Sequence, residues 1–217
     1  MQITLFLTIG TPLIIIAVII FSDKFREPID MILKTFLLGV FLCLPAGLIN
    51  SIFIPSIEYA YRAGFTEETL KFLIMFYFIR KYRSFDEPMD AIVYGTLVSL
   101  GFATLENIEY VYLNDTPVSS LAVASIRALS AIPLHAACGV IMGYYFGLYA
   151  FSASRFSLVK SLVIPISIHA IYNYLIVNSE LLMMIFLTAT IKYTYGLHKE
   201  VFNIQKSKTN EHENKLI

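Results

Sequence analysis

The sequence predicts an all-α, polytopic membrane bundle of about seven transmembrane helices. Three observations predict it. Of the 217 residues, 57% are apolar and only 15% are charged, which is too apolar for a water-soluble domain. Uninterrupted apolar runs of spanning length recur along the chain, divided by short polar loops. Lysine and arginine collect in alternate loops, the bias expected of a chain that crosses a membrane repeatedly. The formal net charge is zero, so no nucleic-acid partner is indicated; the partner of the surface is the lipid bilayer. Cys43 and Cys138 both lie in apolar segments, with no thiolate metal spacing and no sign of a disulfide.

The first span is Ile3–Phe21; it lacks the basic start and small-residue cleavage site of a removable signal. A charged loop with Lys24, Arg26 and Pro28 leads to the second span, Met31–Ile54, where Pro45 and Gly47 predict a kink. The apolar run behind Thr66 extends only to Ile79, about 21 Å of helix, so the third span is expected to begin earlier, near Ile57. The loop from Arg80 to Pro88 is the most charged inside the chain, and the fourth span follows at Met89–Leu113. A polar turn is expected over Asn114–Ser120. Leu121–Ala150 exceeds one span; its start, to about Arg127, is expected at the interface, with Pro133 as the breaking or kinking point. Ser161–Val177 and Leu181–Leu197 supply spans six and seven, and His198–Ile217 reads as a disordered tail. The division expected is a transmembrane domain over residues 1–199 and a cytoplasmic polar tail over 200–217. Lys24, Arg26, Arg80, Lys81, Arg83, Arg155, Lys160 and the tail lysines fall on one side against Arg62 alone on the other. The chain is therefore expected in the cell membrane as a multi-pass protein, N-terminus outside and C-terminus cytoplasmic.

Five polar spots interrupt the apolar spans: Glu67/Glu68/Lys71, Glu106 with Glu109, Arg127, His135, and His169/Asn173. Ionisable groups within a membrane are costly unless paired or hydrated, and so point to a functional cavity. Glu67 and Lys71 are spaced i, i+4 and can pair, while Glu68 points about 100° away toward another partner. His169 and Asn173 share a helix face, and Arg127 and His135 align over two turns if their helix is continuous. Counted from the span ends, all these groups fall in the middle-to-outer half of the membrane, so one common, hydrated site is expected. Taken singly, a histidine or an asparagine in a span is an interhelical hydrogen-bonding group, and Glu109 reads as structural. Gly95, Gly101, Gly139, Gly143 and Gly147 allow close helix approach in lipid.

The ordered motifs Glu67-Glu68-x-x-Lys71, Phe102-x-x-x-Glu106, Arg127 followed by His135 and Gly139, and His169-x-x-x-Asn173 resemble the PrsW family of intramembrane proteases. That family lies in the wider superfamily of CAAX prenyl proteases and bacteriocin-processing or immunity proteins. The resemblance covers nearly the whole chain, to about Lys199. Where some relatives carry an aspartate, this chain has Asn173, which cannot be a base and is cast as a hydrogen-bond donor. The resemblance implies an enzyme that cuts single-pass membrane substrates, anti-sigma factors in particular, on the extracytoplasmic side. That first cut leads to a second intramembrane cleavage and release of a sigma factor.

On this resemblance the preferred chemistry is glutamate-activated attack by water, with no cofactor. Glu67 is the general base, supported by Lys71, with Glu68 orienting its neighbours. Glu106 and His135 position the water or carry the proton, His169 and Asn173 donate to the oxyanion, and Arg127 supports them. The alternative within proteolysis is zinc held by Glu67 or Glu106 with His135 and His169. The missing HExxH and the cations Lys71 and Arg127 count against it. Outside proteolysis, buried carboxylates and histidines also suit a proton-coupled carrier, although no internal repeat supports one. A non-catalytic scaffold would be indifferent to Glu67→Gln.

Overall fold

The computed structural model describes residues 1–113, 118–152 and 154–214, with residues 208–214 as backbone alone. Among them the chain forms α1 (Gln2–Ser22), α2 (Ile29–Phe53), α3 (Arg62–Tyr77), α4 (Pro88–Leu113), α5 (Ser120–Leu129), α6 (Ala131–Ser152), α7 (Arg155–Asn178) and α8 (Glu180–Asn214), and no strand. The expected all-α, polytopic bundle is what the chain adopts. By length and composition, α1, α2, α4, the α5–α6 pair and α7 can each cross a membrane. The polar turn expected over Asn114–Ser120 lies largely outside the described residues.

Helix α4 is the axis of the bundle. It starts at Pro88 under a reciprocal cap, Glu87 and Asp90 each accepting the other's backbone N–H. Its interior is almost continuously buried from Met89 to Thr104. α6 packs along it backbone to backbone: a Cβ on Gly143 would stand 2.2 Å from the Ala91 carbonyl oxygen, so only glycine allows this approach. α2 and α1 cover other faces of α4, while α7 packs on both α6 and α3.

Three expectations are corrected. The third helix does not begin near Ile57. A short 3-10 turn occupies Ile57–Tyr59, and α3 starts at Arg62. The Arg62 guanidinium lies 4.3 Å from the Tyr59 ring centre and donates to the Phe53 carbonyl, which anchors this end of the helix. The sixteen residues of α3 make about 24 Å, and Glu67 lies in its second turn. The stretch after Ser120 is broken as expected, but at Ser130 rather than at Pro133, which sits in the first turn of α6, where its missing N–H costs nothing. Finally, the stretch from His198 is not a disordered tail as far as the described residues go. α8 runs straight across residues 199 and 200, and Val201 and Gln205 are buried.

Candidate active site

The site lies where the start of α3, the last turns of α4, the start of α6 and the C-terminal half of α7 meet. Glu67, Glu68, Lys71, His135 and His169 are each no more than 3% exposed. The sequence brings them together because α3 and α6 begin at the end of the bundle where α4 finishes.

Glu67 and Glu68 face different neighbours. Glu67 accepts from the Asn50 amide of α2 at 3.2 Å through Oε1, while Oε2 is buried with no hydrogen-bond partner, 3.9 Å from His169 Nε2. Lys71 pairs with Glu68, at 2.7 Å, rather than with Glu67. Positions i+3 and i+4 are equally near on a helix. The choice falls to what the ammonium reaches next, His135 Nδ1 at 3.0 Å and the Phe102 ring at 4.4 Å. Glu68 Oε1 also accepts from His169 Nδ1 at 2.9 Å.

These contacts hold the two histidines in opposite tautomers. His169 carries its proton on Nδ1, toward Glu68, and presents Nε2 toward Glu67. His135 accepts from Lys71 at Nδ1 and donates from Nε2 to Glu106 at 3.0 Å. Glu106 in turn takes Arg127 Nη2 at 2.6 Å, and Arg127 Nε donates to Asn107 Oδ1. The alignment of Arg127 with His135 is expected of a continuous helix, and the helix between them is broken at Ser130; the two side chains instead meet because both converge on Glu106.

A cavity of about 890 Å³ opens on this network, lined by Glu67, Glu106, Arg127, His135, His169 and Asn173 among others. Glu68 and Lys71 lie behind its wall. Glu67, His135 and His169 each offer one ligand-type atom within 4.8 Å of the others. Asn173 lines the cavity too, but its Nδ2 donates to the Ala60 carbonyl oxygen and ties α7 to the turn before α3. Cys138 is a packing residue, fully buried with its thiol toward the Pro165 carbonyl.

Sequence reasoning missed Asn50 and Asn107, both of which serve the site. Each is an amide in an apolar span, the same signal that singled out Asn173.

Comparison with known proteins agrees with the motifs. Residues 27–195 match the family described as PrsW family intramembrane metalloprotease. The chain is similar to "Protease PrsW" of Geobacillus kaustophilus, 36% identical over 169 residues, 73% of each chain. It is 39% identical to "Protease PrsW" of Bacillus subtilis over 165 residues, 70% of this chain and 72% of that one. "Protease PrsW" of Oceanobacillus iheyensis is 33% identical over 180 residues, 77% of this chain and 80% of the relative. No solved structure matches the chain.

Proposed function

We propose, since this chain belongs to the PrsW family of intramembrane proteases, that it makes the extracytoplasmic cut in a single-pass membrane protein. An anti-sigma factor is the substrate that fits the family resemblance. The observation that carries the mechanism is the buried, unpartnered Oε2 of Glu67 at the wall of the cavity, facing His169 Nε2. A water held there can lose a proton to Glu67 as its oxygen attacks the scissile carbonyl, and Glu67 can then return that proton to the leaving amine. Glu67 rather than Glu68 is the base, because Glu68 is committed to Lys71 and His169 behind the wall. Neutral His169 would accept through Nε2, so the donors for the oxyanion are Arg127 and Asn173. His135 and Glu106 hold Arg127 in place and complete a proton path.

The orientation proposed is N-terminus outside and C-terminus cytoplasmic, supported by the loops rich in lysine and arginine. The protease domain is residues 1–199, and 200–217 is its cytoplasmic extension. The test is a membrane-wide map of new protein N-termini in cells carrying the wild-type chain or Glu67→Gln at equal level, under envelope stress. A small set of extracytoplasmic juxtamembrane cuts that vanish in the variant is expected. Identical maps with both proteins folded and abundant would remove Glu67 as the base.

A zinc-dependent form of the same reaction has its own support in the donor cluster of Glu67, His135 and His169. One carboxylate oxygen and two imidazole nitrogens make an ordinary zinc hydrolase set. Glu68 on Nδ1 of His169 is the partner a ligand histidine commonly has. The set fits on one condition: His135 must give up Lys71, which occupies its one lone pair at Nδ1, either to ligate there or to move its proton to Nδ1 and ligate through Nε2. Glu106 is already tied to Arg127, so Glu67 is the better carboxylate. Zinc bound there would acidify its water and polarise the scissile carbonyl. Activity lost on chelation and restored by zinc alone supports this form; activity that survives exhaustive chelation rejects it.

A further inference from the structure

A second set of buried carboxylates lies at the other end of α4. Asp90 and Glu106 are sixteen residues apart, about 24 Å along the helix. We propose that Asp23, Glu87 and Asp90 form a binding site for a hard divalent cation of the magnesium or calcium type, separate from the proteolytic centre.

The three residues each bring a carboxylate oxygen within 4.8 Å of the others. Proximity alone has an ordinary explanation for two of them, since Glu87 and Asp90 cap α4 reciprocally. Asp23 has no part in that cap. It enters from the loop after α1 and is only 4% exposed. Its Oδ1 accepts from the Phe25 N–H at 3.0 Å and the Gln205 amide at 2.7 Å, whereas Oδ2 is buried with no hydrogen-bond partner. A buried carboxylate oxygen without a donor is expensive, and a cation among three carboxylates removes the expense.

The surroundings strengthen this. Glu27, a fourth carboxylate, adjoins the cluster directly, sharing a side-chain hydrogen bond with Asp90, and also accepts from the Tyr94 hydroxyl. Among the described residues, no lysine or arginine side chain pairs with Asp23, Glu27 or Asp90. The donors are oxygens throughout, with no imidazole or thiolate, which selects magnesium or calcium over zinc. Gln205 of α8 bridges the ligands, its amide donating to both Asp23 and Glu87 while its Oε1 accepts the Lys24 N–H. A cation here would fasten the first loop, the start of α4 and the far part of α8 into one unit.

The full-length protein, purified in detergent and freed of metal with a chelator, is titrated separately with calcium chloride and magnesium chloride. Binding is followed by calorimetry and by melting temperature. Wild type and Glu67→Gln are expected to bind one ion per chain and melt higher with it. Asp23→Asn and Glu87→Gln are expected to bind at least ten times more weakly. Glu87 is only half-buried, so its variant carries the test if Asp23→Asn fails to fold. No binding by wild type up to about 1 mM, the weak limit for such sites, overturns the proposal. Equal binding by Glu87→Gln, or loss of binding in Glu67→Gln alone, overturns it as well.

Discussion

At the scale of single residues, the proposed chemistry rests on an unequal division of contacts between two adjacent glutamates. Glu67 keeps one oxygen free at the cavity wall, while Glu68 spends its reach on Lys71 and His169. Glu67→Gln preserves the shape and the Asn50 contact, and should lower cleavage by about 10²–10⁴-fold while leaving folding intact. In vitro cleavage of a transmembrane reporter checks this. Lys71→Met should behave differently. It leaves Glu68 charged and buried without its cation, at a cost of about 3–5 kcal/mol, so protein yield and melting temperature should fall along with activity. A Lys71→Met protein as stable as wild type would mean that the pair is not a structural requirement. Asn50 was legible only as an isolated amide in a greasy span. Nothing in sequence spacing relates α2 to α3, so its partner emerges only when the helices pack.

At the scale of elements, α4 and α6 determine where the site is. Their contact depends on glycines whose absent side chains let carbonyl oxygens of the opposite helix approach. Gly143→Ala should therefore separate α4 from α6 and destabilise the protein by about 1–3 kcal/mol, with lower activity because His135 moves away from Glu106. A melting curve together with reporter cleavage tests it; an unchanged melt would mean that the bundle accommodates the methyl group elsewhere. The break at Ser130 lets α5 turn Arg127 toward Glu106 while α6 carries His135 to the same carboxylate. The sequence marked this region with Pro133 and with excess length, but the break falls three residues earlier. Proline is tolerated in a first helical turn and so signals a start as readily as an interruption.

At the scale of the whole molecule, the two ends of the bundle carry different carboxylate clusters. One is paired with lysine and arginine and hydrogen-bonded by histidine, and the other is joined by Gln205 from the last helix. Truncation after Lys199 would remove Val201 and Gln205, both buried, and should lower the melting temperature without removing any side chain of the candidate active site. Unchanged melting would show that the extension is dispensable for stability. Burial raises the Asp23 and Glu27 carboxyls above their ordinary values of 3.8 and 4.5. The folded chain then keeps protons that the unfolded chain has released. This contribution to stability is full below those values and is lost as pH rises through the raised ones. In metal-free protein, the difference in melting temperature between wild type and Asp23→Asn should shift against wild type as pH rises through that window. A difference that stays constant with pH would refute the assignment.

The sequence by itself determined the membrane-embedded helical class, the family through four ordered motifs, and the ionisable members of the polar set. Each of these is carried by residue type and spacing along one chain: apolar length against bilayer thickness, and ionisable groups where lipid would not tolerate them unpaired. Only the tertiary structure decided which glutamate faces the cavity, that Lys71 serves Glu68 and His135, and that Asn173 also fastens the turn at Ala60. It also decided that α8 continues onto the first loop. The physical reason is common to all of them. A helix offers a charged side chain several partners at nearly equal distance, and the choice is made by groups on other helices that are remote in the chain.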